Sequence, residues 1–289
     1  MHADEIDVDE TLVRRLLAEQ FPAWARLPLR RVEPSGTVNA VFRLGDELAV
    51  RLPRRDGPTA PEGRGARWLP RLAPLLPVAV PVPVAQGRPG GGYPWFWAIQ
   101  TWVEGETVPV EELDAVVAAR DLAALVGALQ RADPAGAPPG RGIPLHERDA
   151  EFRHWLGRFT GDPAVAAEWE RALAAPAWQG RPVWHHGDLD ARNWLVRDGR
   201  IGGVIDWESL GVGDPACDVM VAWKLGSADA RDAFREALAP DDATWERARG
   251  WALSQAVAIL AYYTPANNPA LYHEARRWLD LVLSERGEG

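Results

Sequence analysis

One lysine and one cysteine occur in the 289 residues, Lys224 and Cys217, and methionine occurs twice. A single thiol excludes an intramolecular disulfide, so the core alone must hold the fold, and a reducing compartment suits it. No run approaches the roughly 20 apolar residues of a membrane-spanning helix. The most apolar stretch, LLPVAVPVPVA at 75–85, is cut by three prolines. The opening MHADEIDVDE is acidic and lacks the basic-then-apolar order of a secretory leader, so a cytoplasmic location without a membrane partner is expected. Positive charge is short too: 32 basic residues face 41 acidic ones, a formal net charge of −9. That balance argues against nucleic acid as a partner, because a phosphate backbone selects basic surfaces, and it mildly favours cationic ligands.

What is present is an ordinary globular mixture, 47% hydrophobic and 25% charged, long enough for one large domain or two lobes. Leu12, Val13, Leu16 and Leu17 share one face of a predicted helix over 7–20. Strand patterns follow at 29–35, 39–44 and 47–53, joined by short turns as a meander, and another at 94–105 ends in a linker. Residues 54–66 read as a Gly/Pro/Arg-rich loop, and a short helix interrupted by Pro70 comes next. From 111 the periodicity becomes helical. Asp-Pro at 162–163 and 214–215 and Asn-Pro at 268–269 mark helix starts, since the first residue caps and proline suits the first helical position. The expected class is α+β, a two-lobed arrangement with a small antiparallel-sheet N-terminal lobe (1–103) and a larger, mainly helical C-terminal lobe (104–289).

HHGDLDARN at 185–193 packs two histidines, two aspartates, an arginine and an asparagine into one turn. Behind it, NWLVRDGRIGGVID (193–206) contains Asp198-Gly199, a strong two-residue hairpin signal. With that turn, Asn193 faces Val204, and Asp206 lies two residues further on. Side chains alternate with period two, so Asn193 and Asp206 are expected on one face as diagonal neighbours, roughly 7–8 Å apart. Their oxygens are hard ligands of the kind Mg²⁺ prefers, and Asp188, five residues before Asn193, could accept a hydroxyl proton. A zinc site from His185, His186 and Asp188 is the competing reading of the cluster.

HHGDLDARN, VIDWE and GDPACDVMVAW together resemble the aminoglycoside phosphotransferase family, antibiotic kinases with a protein-kinase-like fold. The resemblance implies that Asp188 is the catalytic aspartate, that His186 braces its loop, and that Asn193 and Asp206 hold Mg²⁺. It implies that Leu195 floors the adenine pocket of ATP (or GTP), and that Asp218 anchors the catalytic loop. On the nucleotide side, Ser35, Gly36, Thr37 and Asn39 are the phosphate candidates, although the segment lacks a full glycine-rich motif. Arg51 stands where a strand lysine is expected, with Glu62 as its nearest helix partner. Gln100 and Val103 offer backbone groups to the purine, and Trp97 and Trp102 could line its pocket.

The acceptor implied is a small-molecule antibiotic, aminoglycoside-like or a basic peptide of the viomycin/capreomycin type, met by a monomer or weak dimer. Glu208, Glu236 and Asp190 are the acidic candidates for holding it, with Asp241 and Asp242 weaker and a solvated side chain the plainer reading of Asp190. Asp214 reads as a helix cap. Trp155, Trp207, Trp245 and Trp251 could line an apolar pocket or simply fill the core. A kinase for a macrolide or for a small metabolite such as choline or homoserine, and a nucleotide-binding regulator with little catalysis, remain as alternatives.

Overall fold

A computed structural model describes residues 6–32, 39–55, 63–159 and 163–284. The chain divides into two compact units, Met1–Pro74 with Ala79–Glu104 and Gly203–Glu208, and Leu75–Val78 with Gly105–Gly202 and Ser209–Gly289. A single cut at 103/104 therefore differs from this division at two short segments, Leu75–Val78 and Gly203–Glu208. Gly203–Glu208 rejoins the first unit, where Ala79 and Gly203 form a parallel bridge and the Val204 N–H donates to the Ala79 carbonyl at 3.0 Å.

The first unit is built on a sheet of β1 (Leu29–Arg31), β2 (Asn39–Leu44), β3 (Leu48–Pro53), β4 (Pro83–Gly87) and β5 (Trp97–Thr101), in the order β1-β2-β3-β5-β4 with antiparallel neighbours. Helix α1 (Glu10–Gln20) begins where the Asp9 carboxylate accepts the Leu12 N–H at 2.7 Å. Its Leu12, Val13, Leu16 and Leu17 join Phe42, Leu44, Val50, Leu52 and Ile99 in one core. Trp97 belongs to that core, with its indole N–H on the Arg88 carbonyl. It does not line a purine pocket. Of the loop expected at 54–66, residues 56–62 lie outside the described residues, and its last part is helical: α2 (Arg64–Leu72) starts at Arg64 and continues through Pro70 while burying Trp68, Leu69 and Leu72.

The second unit holds α3 (Ala115–Arg131), α4 (Asp149–Leu156), α5 (Ala164–Ala174), α6 (Ala216–Val219), α7 (Ala228–Leu238), α8 (Asp242–Tyr262) and α9 (Pro269–Ser284). Strand β6 (Val183–His185) pairs with β9 (Gly211–Gly213), while β7 (Trp194–Arg197) pairs with β8 (Arg200–Val204). Helices α3 and α7 pack together, as do α8 and α9. The caps predicted from sequence are present where described: Asp214 accepts the Ala216 N–H and Asn268 the Leu271 N–H. Asp162 lies outside the described residues. Trp207, Trp245 and Trp251 are core, and Trp155 meets the exposed Tyr262 edge-on. No helix among the described residues is long and apolar enough to cross a membrane.

Candidate active site

The catalytic-loop candidate starts at the end of β6, where buried backbone must find partners. The buried Asp218 of α6 supplies them, its Oδ2 accepting the His186 N–H at 2.7 Å and its Oδ1 the Gly187 N–H at 2.9 Å. His186 is wholly buried, and its Nδ1 accepts the Asp188 N–H at 3.2 Å. It therefore positions the loop. His185 accepts the Gly142 N–H on Nε2 at 3.0 Å. Segment 140–142 lies so close that a Cβ on Gly140 would meet the His185 ring at 2.2 Å, and one on Gly142 the Asp214 backbone at 2.8 Å. Both glycines are there for that close approach.

These bonds bear on the zinc reading. One ring nitrogen of each histidine already takes a backbone N–H. A tight grouping of His185, Cys217 and Asp218 does exist, but both Asp218 oxygens are engaged and burial pushes the Cys217 thiol pKa far up.

The Asp188 carboxylate is left partly exposed. Its neighbour is Arg141, whose Nη1 lies 3.4 Å from Oδ1 and also donates to the Gly187 carbonyl at 3.2 Å. Asn193 lies in a 3-10 turn, Ala191–Asn193, and its amide nitrogen donates to the Asp188 carbonyl at 3.0 Å. That leaves the amide oxygen as the group offered to a ligand.

Asp190 departs from the solvated reading. It is buried, accepts from the Arg192 backbone and side chain, the latter at 2.7 Å, and has Lys224 Nζ at 3.6 Å. Burial pushes its pKa up, but Lys224 and Arg192 outweigh that and hold it at about 2. Lys224, buried over the Trp278 ring, is a contributor that sequence reasoning passed over. The signal was there: it is the sole lysine in a chain whose other bases are all arginine.

The turn at Asp198 (φ 53°) and Gly199 (φ 73°) has both residues left-handed, as a type I′ hairpin needs. The strands stop short of the two ligand candidates, however. Asn193 precedes β7 in its 3-10 turn, and Asp206 follows β8 with φ 63°. Strand alternation thus does not fix their directions. Leu195 is buried against the Gly105 backbone.

In the first unit, Arg51 sits on β3 between Val41 and Ala98. Its Nη2 lies 2.8 Å from Glu208 Oε1 and 3.3 Å from Asp206 Oδ1. Ser35, Gly36, Thr37 and Glu62 lie outside the described residues. Asn39 is buried at the head of β2, and its side-chain oxygen has no hydrogen-bond partner among the described residues. Gln100 is paired within the sheet, Val103 is buried, and the Trp102 N–H donates to the Glu47 carbonyl. Glu236 is an exposed residue of α7, and no ion pair joins it to the loop among the described residues. Asp241 caps α8, and Asp242 pairs with Arg235.

Burial raises the Asp218 pKa to about 6 against the opposing pull of its two backbone N–H bonds. The native state thus binds this proton more tightly than the unfolded chain, whose carboxylate titrates near 3.8. Above pH 6 the burial cost is fully present, and it is relieved as pH falls from about 6 towards 3.8. Protonation also replaces an acceptor by a donor facing two N–H groups. Compared with Asp218→Asn, the wild type should therefore gain stability, and lose turnover, as pH drops through 6. Parallel denaturation and rate profiles of the two proteins check this. A stability difference that stays flat with pH counts against it.

The profile of the phosphotransferase enzyme family (APH) matches residues 29–251. Similar solved structures cover nearly the whole chain. A GDP complex of wild-type aminoglycoside 2'-phosphotransferase-IIIa shares 14% identity at TM-score 0.69, over 96% of this chain and 99% of its own. Macrolide 2'-phosphotransferase MphH from Brachybacterium faecium shares 25% at TM-score 0.63, over 96% and 98%. A thermostable mutant of aminoglycoside phosphotransferase APH(4)-Ia, in ternary complex with AMP-PNP and hygromycin B, shares 20% at 0.62, over 96% and 100%. No curated protein sequence matches. With its profile match spanning most of the sequence and a kinase-like α+β fold around the Asp188 loop, the chain belongs to the phosphotransferase enzyme family APH.

Proposed function

We propose that this chain transfers the γ-phosphoryl group of a nucleoside triphosphate to a hydroxyl of a small antibiotic. The observation carrying the proposal is the catalytic loop: Asp218, His186 and Asn193 hold its backbone, while the Asp188 carboxylate is left partly exposed. Asp188 would accept the hydroxyl's hydrogen bond and aim its oxygen at the γ-phosphorus, taking the proton as the new P–O bond forms and the bond from the γ-phosphorus to the bridging oxygen of the departing nucleoside diphosphate breaks. Arg51 would bind phosphate oxygens, since a guanidinium keeps its charge and its fork matches phosphate. Leu195 would floor the base pocket. Val103 would offer linker backbone to the purine, whereas the backbone of Gln100 lies within β5 between Ala49 and Pro83, which weighs against its part in that role.

The donors suit magnesium. Asn193 offers an amide oxygen and Asp206 a carboxylate that is 43% exposed, both hard ligands. Magnesium, when bound, would offset the charge of the phosphates. Asn193 and Asp206 are proposed to hold it.

The acceptor was expected to be polycationic, drawn by acidic side chains. Glu208 and Asp190 are instead spent in ion pairs, and Arg141 stands beside Asp188. This charge pattern favours the macrolide alternative, as does the 25% identity to a macrolide kinase over nearly the whole chain. The aminoglycoside reading keeps the support of the other neighbours. Purified protein should be assayed with labelled ATP and GTP against macrolides, aminoglycosides, viomycin, choline and homoserine. We expect a labelled macrolide. Label on an aminoglycoside or viomycin restores the cationic class, and nucleotide binding without transfer to any acceptor favours a regulator.

A further inference from the structure

Glu208 follows the proposed metal aspartate by two residues, and charge alone suggests an acceptor-binding role for it. Its geometry says otherwise. Its Oε1 lies 2.8 Å from Arg51 Nη2, nearer than Asp206 Oδ1 on the same nitrogen at 3.3 Å. The Arg51 side chain is only 22% exposed, whereas Glu208 and Asp206 are 44% and 43% exposed. The guanidinium is thus the enclosed member of the trio and the carboxylates its outer walls. Trp207, between the two acids, is buried with its indole N–H on the Val204 carbonyl at 2.8 Å, and that fixes the short stretch presenting both. Asp206 adopts φ 63°, a left-handed conformation that aspartate tolerates better than most residues.

Arginine at this position is long and has several rotamers. Only a partner that leaves Asp206 free could hold it in place while Asp206 binds elsewhere. We propose that Glu208 is that partner: a positioning residue that keeps Arg51 aimed at the nucleotide phosphates after Asp206 has exchanged its guanidinium contact for magnesium. Among the described residues, Arg51 and Glu208 thus form a base–acid pair whose acid comes from the segment that follows β8. The proposal rests on the phosphotransferase reading.

Calorimetric binding of Mg-AMP-PNP and its guanine counterpart tests it on full-length wild type, Glu208→Gln, Arg51→Ala and the double variant, with thermal melts as a folding check. Glu208→Gln should weaken nucleotide binding roughly tenfold, and the double variant should bind no worse than Arg51→Ala alone, because coupled residues are not additive. Once an acceptor is known, the nucleotide KM should rise and the acceptor KM should not. Unchanged nucleotide affinity in Glu208→Gln, additive losses, or a selective rise in acceptor KM would each overturn the pairing. Wild type that binds neither nucleotide would instead sink the phosphotransferase reading on which the pairing stands. If Glu208→Gln melts early, Glu208→Asp serves in its place: it keeps the charge one carbon shorter, and coupling to Arg51→Ala must persist.

Discussion

Replacing Asp188 by alanine should lower turnover by about three orders of magnitude while nucleotide affinity stays within about twofold of wild type; a positioned proton acceptor contributes on that scale. The reason lies in how the loop divides its labour. Asp188 gives its backbone N–H to His186 Nδ1 and its carbonyl to the Asn193 amide, so the main chain is held whichever side chain it carries. Among the described residues the carboxylate has one long contact, to Arg141 at 3.4 Å, and that contact is exposed on both sides. Removing it opens no core cavity and leaves no buried charge, so the melting temperature should scarcely change. What disappears is the group that orients the acceptor oxygen. Phosphoryl transfer leaves little covalent chemistry to the protein, so a lost alignment shows in kcat more than in binding. Asp188→Asn sharpens the test. It keeps the shape and can still accept a hydrogen bond from the hydroxyl, but it cannot take its proton. A loss in asparagine as deep as in alanine assigns the effect to proton acceptance; a shallower one assigns part of it to orientation. Turnover within tenfold of wild type for alanine would remove Asp188 from the chemistry.

Local periodicity carried much of this architecture into the sequence. Strand β2 at 39–44 and helix α9 at 269–284 end where pattern and caps put them, and Asp198-Gly199 turns as the dipeptide demands. Asp218 meets two backbone N–H groups of the loop, the role its family motif implied. What escaped was set by contacts between distant segments. Residues 51 and 208 have no local signal joining them, and Glu208 was taken for a substrate acid because its charge was visible and its partner was not. Sequence offers Asp190 as an acceptor-binding acid or, more plainly, a solvated side chain, because nothing near it in the chain announces Lys224 beside it. Sequence leaves Trp97 open between core and pocket wall because one aromatic residue looks the same in a core or a cleft, and the structure places it in the core. Alternation was carried past the strands at both ends of the hairpin, into a 3-10 turn at Asn193 and a left-handed residue at Asp206.

Arg247→Ala is expected to cost about 3–5 kcal/mol of stability, the penalty for leaving one member of a buried ion pair alone. Arg247 and Asp214 are 3% and 4% exposed and meet through two bonds, Nε to Oδ2 at 2.7 Å and Nη2 to Oδ1 at 3.1 Å. The guanidinium also donates to the Pro176 carbonyl at 2.6 Å and to Thr244 Oγ1 at 3.1 Å, so α8 is tied to the segment after α5 and to the start of α6 by one side chain. Alanine strands the Asp214 carboxylate in the core with the Ala216 N–H as its remaining hydrogen bond. Removing both partners should hurt less than the sum of the single losses, since the stranded charge is then gone. Urea unfolding of Arg247→Ala, Asp214→Ala and the double variant measures this, provided the slope with denaturant is unchanged. The consequence reaches the catalytic loop. The Asp214 N–H donates to the Gly142 carbonyl at 2.8 Å, and the Gly142 N–H donates to His185 at the loop's entrance. If that chain transmits the strain, Arg247→Ala should lose turnover at temperatures where it is still folded, and Asp214→Asn, which keeps a side chain at the cap without the charge, should lose less. Destabilisation under 1 kcal/mol would mean that solvent reaches the pair and that the ion bridge adds little to the fold.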